Sequence, residues 1–134
     1  MKKILLVGCG NIGFWHLISL NQEKIFEIHV LEKNLQRIKY LKKKFNSKNI
    51  SFISKRNFLH NKFYDLVILA TGAEERFLTF KYLCSKLVFK NIIFEKVVFQ
   101  NYRDLINTKK ILKEKNIKGW VNFPRRCYSF FKFL

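Results

Sequence analysis

Gly8, Gly10 and Gly13 stand at the G-x-G-x-x-G spacing, and Glu32 follows nineteen residues after the last of them. The stretch Gly8-Cys9-Gly10-Asn11-Ile12-Gly13 comes directly after the apolar run Ile4-Leu5-Leu6-Val7 and opens a segment of helical periodicity. A strand, this glycine loop, a helix and then an acid about 20 residues on form a dinucleotide-binding fingerprint. The glycines divide the work among them. Gly8 serves a tight turn, Gly10 close approach of backbone to a pyrophosphate, and Gly13 close packing of helix on sheet. The helix end that follows offers unpaired N–H groups and a partial positive charge to the phosphates. Glu32 can accept hydrogen bonds from both hydroxyls of an adenosine ribose, and its charge would repel a 2′-phosphate, which favours NAD over NADP. Lys33 and Arg37 lie close enough to pair with such a phosphate, which keeps NADP open.

Two further groups fall at strand ends. Thr71-Gly72-Ala73 follows a buried apolar run ending at Ala70, itself a candidate cofactor contact; Gly72 lets backbone come near a ligand and Thr71 can hydrogen-bond it, and a plain strand-to-helix turn can hold together with this. Glu95-Lys96 ends a later strand, where a lysine can bind or polarise a hydroxyl or carbonyl. His16 reads as helix packing, and His29 and His60 complete a set of three histidines with no metal-ligand spacing. Cys9, Cys84 and Cys127 are far apart and odd in number, so neither a zinc site nor a disulfide framework is indicated. No Ser/His/Asp pattern and no Walker sequence is present.

The elements that must position these groups alternate along the chain. Strands are expected at Lys3–Val7, Phe26–Leu31, Ile50–Ser54, Asp65–Ala70, Asn91–Phe94 and Ile117–Phe123. Helices are expected at Asn11–Asn21, from an Asn34 N-cap through Leu35, Ile38, Leu41 and Phe45, at Glu74–Leu87, and at Tyr102–Lys115. In the first helix Ile12, Trp15, Leu17, Ile18 and Leu20 form the apolar stripe, and in the last Leu105, Ile106, Ile111 and Leu112 point inward. This order implies an α/β, doubly wound parallel sheet of about six strands with helices on both faces, binding ligands at the carboxyl ends of its strands. The domain runs over 1–124, and Arg125–Leu134 starts a further helix rich in Tyr128, Phe130, Phe131 and Phe133.

At 134 residues and 49% hydrophobic content the chain is one domain with a real core. No apolar run approaches the roughly 18–20 residues of a membrane span, and no secretory leader is visible, so a cytoplasmic location is the default. The formal charge is +18. Lys, Asn, Ile and Phe make up 62 of the 134 residues, and all four can be encoded by A and T alone, so base composition accounts for the excess. The charge predicts salt-dependent, non-specific binding to nucleic acid and no specific nucleic-acid partner.

Taken together, Val7–His16, Leu69–Ala73, Phe94-Glu95-Lys96 and Val121–Arg126 resemble the Gfo/Idh/MocA family (glucose–fructose oxidoreductase, inositol dehydrogenase). The order and spacing match across the chain, with the likeness strongest to members of bacterial surface-carbohydrate biosynthesis. The resemblance implies an N-terminal NAD(P)-binding Rossmann domain, hydride transfer to or from a sugar-type carbinol, and a role for Lys96 as the catalytic or substrate-contacting lysine of a Glu-Lys-Pro motif. It also implies a sugar or sugar nucleotide as substrate and an oligomer or complementing chain. Val97 stands where the family has proline, so a trans Lys96–Val97 peptide is expected, with Lys96 redirected. Arg76 replaces a histidine often found in the turn after the fourth strand. The family's C-terminal domain would begin where this chain ends, so catalysis is expected to be incomplete in this chain alone. A non-enzymatic nucleotide-binding or interaction module is the alternative, and a basic nucleic-acid-binding protein a third reading.

Overall fold

The computed structural model describes residues 1–54 and 62–124. The helix expected from Arg125, together with His60 and Cys127, lies outside those residues. The described chain runs β1 (Lys2–Val7), α1 (Asn11–Gln22), β2 (Phe26–Leu31), α2 (Leu35–Lys44), β3 (Ile50–Ile53), β4 (Phe63–Leu69), α3 (Ala73–Lys86), β5 (Val88–Glu95), α4 (Tyr102–Glu114) and β6 (Lys118–Asn122). The six strands form one sheet in the order β3-β2-β1-β4-β5-β6. Every neighbouring pair is parallel. Strand order reverses between β1 and β4, so the crevice at their carboxyl ends is the switch point of a doubly wound fold.

The apolar runs are continuous because both faces of the sheet are covered. On β1, Ile4 and Leu6 join Ile28, Val30, Ile68, Leu17 of α1 and Leu41 of α2 in one core layer. Leu5 and Val7 join Val67, Leu69, Ile92, Phe94 and the α3 residues Phe80 and Leu83 in the other, with Leu105, Ile111 and Leu112 of α4 packed on it. Asn34 caps α2 as expected, its side chain accepting from the Arg37 N–H at 3.0 Å.

Four residues depart from the expected helix faces. Ile12 and Trp15 are exposed, as are Leu35 and Ile106. The inward line of α1 is set by Gly13 and Leu17. Ile12 and Trp15 lie about 100° or more around the helix from Gly13, each residue turning the helix by about 100°. Strands β4 and β5 begin earlier than expected, at Phe63 and Val88, because their first residues extend the parallel ladder between the two strands. Strand β6 is an edge strand, and it is exposed over most of its length.

Candidate functional site at the switch point

The loop between β1 and α1 takes the shape its glycines allow. Gly8 has φ +83°, and a Cβ there would meet the Ala70 carbonyl oxygen at 3.1 Å. At Gly13 a Cβ would stand 2.1 Å from the Gly8 carbonyl oxygen, so only glycine lets α1 seat on the loop. Gly10 has no protein atom within 4 Å of an added Cβ. Its open side faces a cleft of about 520 Å³ lined by Gly8, Gly10, Glu32, Lys33, Ala70, Thr71 and Gly72, among others.

Strand β2 and helix α2 hold this loop from the side. The Glu32 carboxylate accepts from the Cys9 N–H at 2.7 Å through Oε2 and from the Asn34 N–H at 2.9 Å through Oε1. Arg37 Nε donates to the Cys9 carbonyl at 2.8 Å and Nη2 to the Gly10 carbonyl at 3.3 Å. Its guanidinium lies over the rings of Phe14 and Tyr40, 5.3 and 5.2 Å from their centroids. Arg37 therefore braces the loop through its carbonyls. Lys33 Nζ pairs with Glu75 at 2.8 Å. Burial pushes the Cys9 thiol up to about 12, which leaves it protonated and inert.

The cleft fits an anionic dinucleotide on three counts. Helix α1 is capped by Gly10 with no side-chain hydrogen bond and has no acid in its first turn, so neither a capping side chain nor a first-turn acid competes with a phosphate there. Asn11 and Ile12 open that turn and are exposed. The Thr71 hydroxyl, on the lining of the cleft, is buried with no partner in the described structure. Burying a hydroxyl without a hydrogen bond costs free energy that a bound polar group would recover.

Glu95 and Lys96 stand at the end of β5, outside the lining of that cleft. Glu95 is buried, and its Oε1 is bonded to His16 Nε2 at 2.5 Å and to Asn122 Nδ2 at 2.6 Å. His16 is therefore more than helix packing: it ties α1 to the end of β5. The expected trans peptide after Lys96 is corrected as well, since the Lys96–Val97 bond is cis. In this segment the carbonyls of Glu95, Val97 and Val98 all accept from Nη1 of Arg76. Nη2 of the same guanidinium donates to the Thr71 carbonyl. Arg76 is buried, and desolvation lowers its pKa. In the sequence Arg76 stands out only as a replaced histidine. Its place four and seven residues before Phe80 and Leu83, on the buried line of α3, is the signal that it points inward. Lys96 is exposed, with Nζ 5.8 Å from the centre of the Phe123 ring. Among the described residues no group of His, Cys, Asp and Glu could hold a metal ion. No helix among them is long and apolar enough to cross a membrane.

The family model of shikimate / quinate 5-dehydrogenase matches residues 1–99, the part that contains the glycine loop, Glu32 and the Thr71 turn. No curated protein matches the chain. Among solved structures, the WlbA dehydrogenase from Bordetella pertussis, determined with NADH and UDP-GlcNAcA, aligns over 98% of this chain and 37% of its own, at TM-score 0.80 and 17% identity. The myo-inositol 2-dehydrogenase from Lactobacillus plantarum aligns over 98% of this chain and 39% of its own, at TM-score 0.79 and 13% identity. A Gfo/Idh/MocA family oxidoreductase from Vibrio cholerae aligns over 94% and 40%, at TM-score 0.76 and 14% identity. The expected Gfo/Idh/MocA resemblance is thus borne out in the fold, and the chain spans 37–40% of the length of these three structures.

Proposed function

This chain belongs, over residues 1–99, to the shikimate / quinate 5-dehydrogenase family, and from that premise and the cleft at the switch point we propose that it is the NAD-binding domain of a sugar-type oxidoreductase. The observation that carries the reading is the open Gly10 face at the start of α1, which no side chain caps, set beside Glu32 in one cleft. Bound NAD would supply acceptance and donation of hydride. The chain's own residues do the rest. The α1 N-terminus and the Gly10 backbone receive the pyrophosphate. Glu32, fixed by two backbone N–H groups, keeps acceptor capacity for ribose hydroxyls, since a carboxylate has about four lone-pair sites. Arg37 and Lys33 are engaged by the loop carbonyls and by Glu75, which favours NAD over NADP. The Thr71 hydroxyl gains a partner when the cleft fills. Lys96, at the end of β5, is the group to polarise a carbinol or carbonyl oxygen.

One structural neighbour was determined with NADH and UDP-GlcNAcA and another is a myo-inositol 2-dehydrogenase. The first supports a sugar nucleotide as substrate and the second a polyhydroxylated ring, both carrying the carbinol that hydride transfer needs. The remaining pocket would come from a segment or chain that this domain joins, because the solved neighbours are more than twice as long. A structure with bound NADH tests the assignment. It should place the pyrophosphate at Gly10 and the adenosine ribose at Glu32. A dinucleotide bound elsewhere would remove the reading.

A further inference from the structure

One buried guanidinium grips both residues that flank Lys96. Nη1 of Arg76 donates to the carbonyls of Glu95 and Val97, with Val98 beyond, while Nη2 donates to the carbonyl of Thr71. Thr71 lines the switch-point cleft, and Lys96 directly follows β5, the strand paired with β4. No carboxylate side chain is bonded to Arg76 among its described hydrogen bonds; all four acceptors are backbone oxygens. A guanidinium is planar, with five donors in a fixed fork, so it can hold two loops at a set spacing. A lysine ammonium is a point charge and cannot span both. The carboxylate of Glu95 is held separately by His16 and Asn122, so the backbone before Lys96 is fixed from α1, α3 and β6 at once.

On the strength of the dinucleotide reading above, we propose that Arg76 is a positioning residue that couples occupancy of the cleft to the placement of Lys96. A ligand that engages Thr71 acts on the turn whose carbonyl Arg76 holds, and the same guanidinium sets the backbone on either side of Lys96. Filling the cleft therefore bears, through Thr71 and Arg76, on the backbone that carries Lys96.

The test is pulsed acetylation of the whole chain with acetic anhydride, the Lys96 peptide being quantified by mass spectrometry with and without saturating NADH. In the unaltered protein NADH should change the Lys96 rate about fivefold or more. In Arg76→Lys the change should fall below about 1.5-fold, with NADH again saturating. An unaltered response in Arg76→Lys, or no response in the parent protein despite bound NADH, would overturn the coupling. Arg76→Gln, which keeps a donor and drops the charge, serves with the same outcomes where Arg76→Lys does not fold. Failure of the parent chain to bind NADH at all would be a failure of the dinucleotide reading. In that event hydrogen exchange decides on the lock itself. Amides of Val97, Val98 and Phe99 should exchange about tenfold faster in the variant while those of β1 and β2 are unchanged, and equal exchange at 97–99 would refute it.

Discussion

His16 Nε2 and Glu95 Oε1 stand 2.5 Å apart across 79 residues of sequence, joining the helix of the glycine loop to the strand that presents Lys96. Asn122 Nδ2 donates to the same Oε1, so the pair ties His16 and Asn122 to one carboxylate oxygen. Replacing His16 by alanine leaves a buried carboxylate with Asn122 as its described side-chain donor. His16→Ala should lower stability by about 1–3 kcal/mol, the cost of stranding a buried polar group. His16→Gln, which offers an amide donor, should recover at least half of that loss in urea unfolding. Equal losses for the two variants would mean that ring packing, not the hydrogen bond, is what matters.

Two glycines of the G-x-G-x-x-G stretch, one before α1 and one within it, should respond differently. At Gly13 an added methyl would lie 2.1 Å from the Gly8 oxygen, so Gly13→Ala must move backbone. We expect a loss of about 1–3 kcal/mol or more, as for other overpacked sites. Gly10→Ala meets no protein atom and should stay within about 0.5 kcal/mol of the parent. Thermal unfolding of the two variants side by side distinguishes them, and equal melting temperatures would contradict the packing described for Gly13.

Glu32 serves the loop and the proposed ribose site together. Removing its charge in Glu32→Gln should raise the affinity for NADPH relative to NADH by about tenfold, equivalent to about 1.4 kcal/mol. Fluorescence titration with both nucleotides measures the ratio. No change in the ratio would show that Glu32 only braces Cys9 and Asn34.

At the opposite end of the sheet His29 Nδ1 lies 2.8 Å from the Tyr64 hydroxyl and Nε2 3.1 Å from Glu27. Burial lowers the His29 pKa and is the largest influence on it; Glu27 opposes it. A histidine depressed in the folded state binds more protons when unfolded. Its contribution to stability is therefore full above the unfolded value, about 6.5, and is lost as pH falls through the lower folded value. Unfolding free energy should decline below about pH 6.5, and His29→Gln should flatten that part of the profile. An unchanged slope in His29→Gln would assign the decline to other groups.

What could be read from the sequence is what local physics decides. The glycine loop, the Asn34 cap and the runs of β1, β2 and β4 each announce themselves within a few residues, because turn geometry, capping and strand burial are local demands. The face of α1 was harder to read. Ile12 and Trp15 fit an apolar stripe, yet the close seat of Gly13 on Gly8 fixes which side turns inward. The partners of Arg37, Arg76 and His16 were out of reach for another reason. Each meets an atom from a distant segment, and only the assembled sheet brings the ends of β4, β5 and β6 beside α1 and α3. The cis Lys96–Val97 bond belongs with these, since it lies in a segment whose carbonyls converge on Arg76.

Whether the Gly10 face receives a dinucleotide is tested most directly by isothermal titration of the chain with NADH, beside Gly10→Val. We predict saturable binding with a dissociation constant in the range of about 1–100 μM, a free energy of roughly −8 to −5 kcal/mol. Gly10→Val should weaken it at least tenfold with no fall in melting temperature, because its side chain enters the cleft and not the core. Absence of binding to both NADH and NADPH at millimolar concentration, or full binding by Gly10→Val, would contradict the account.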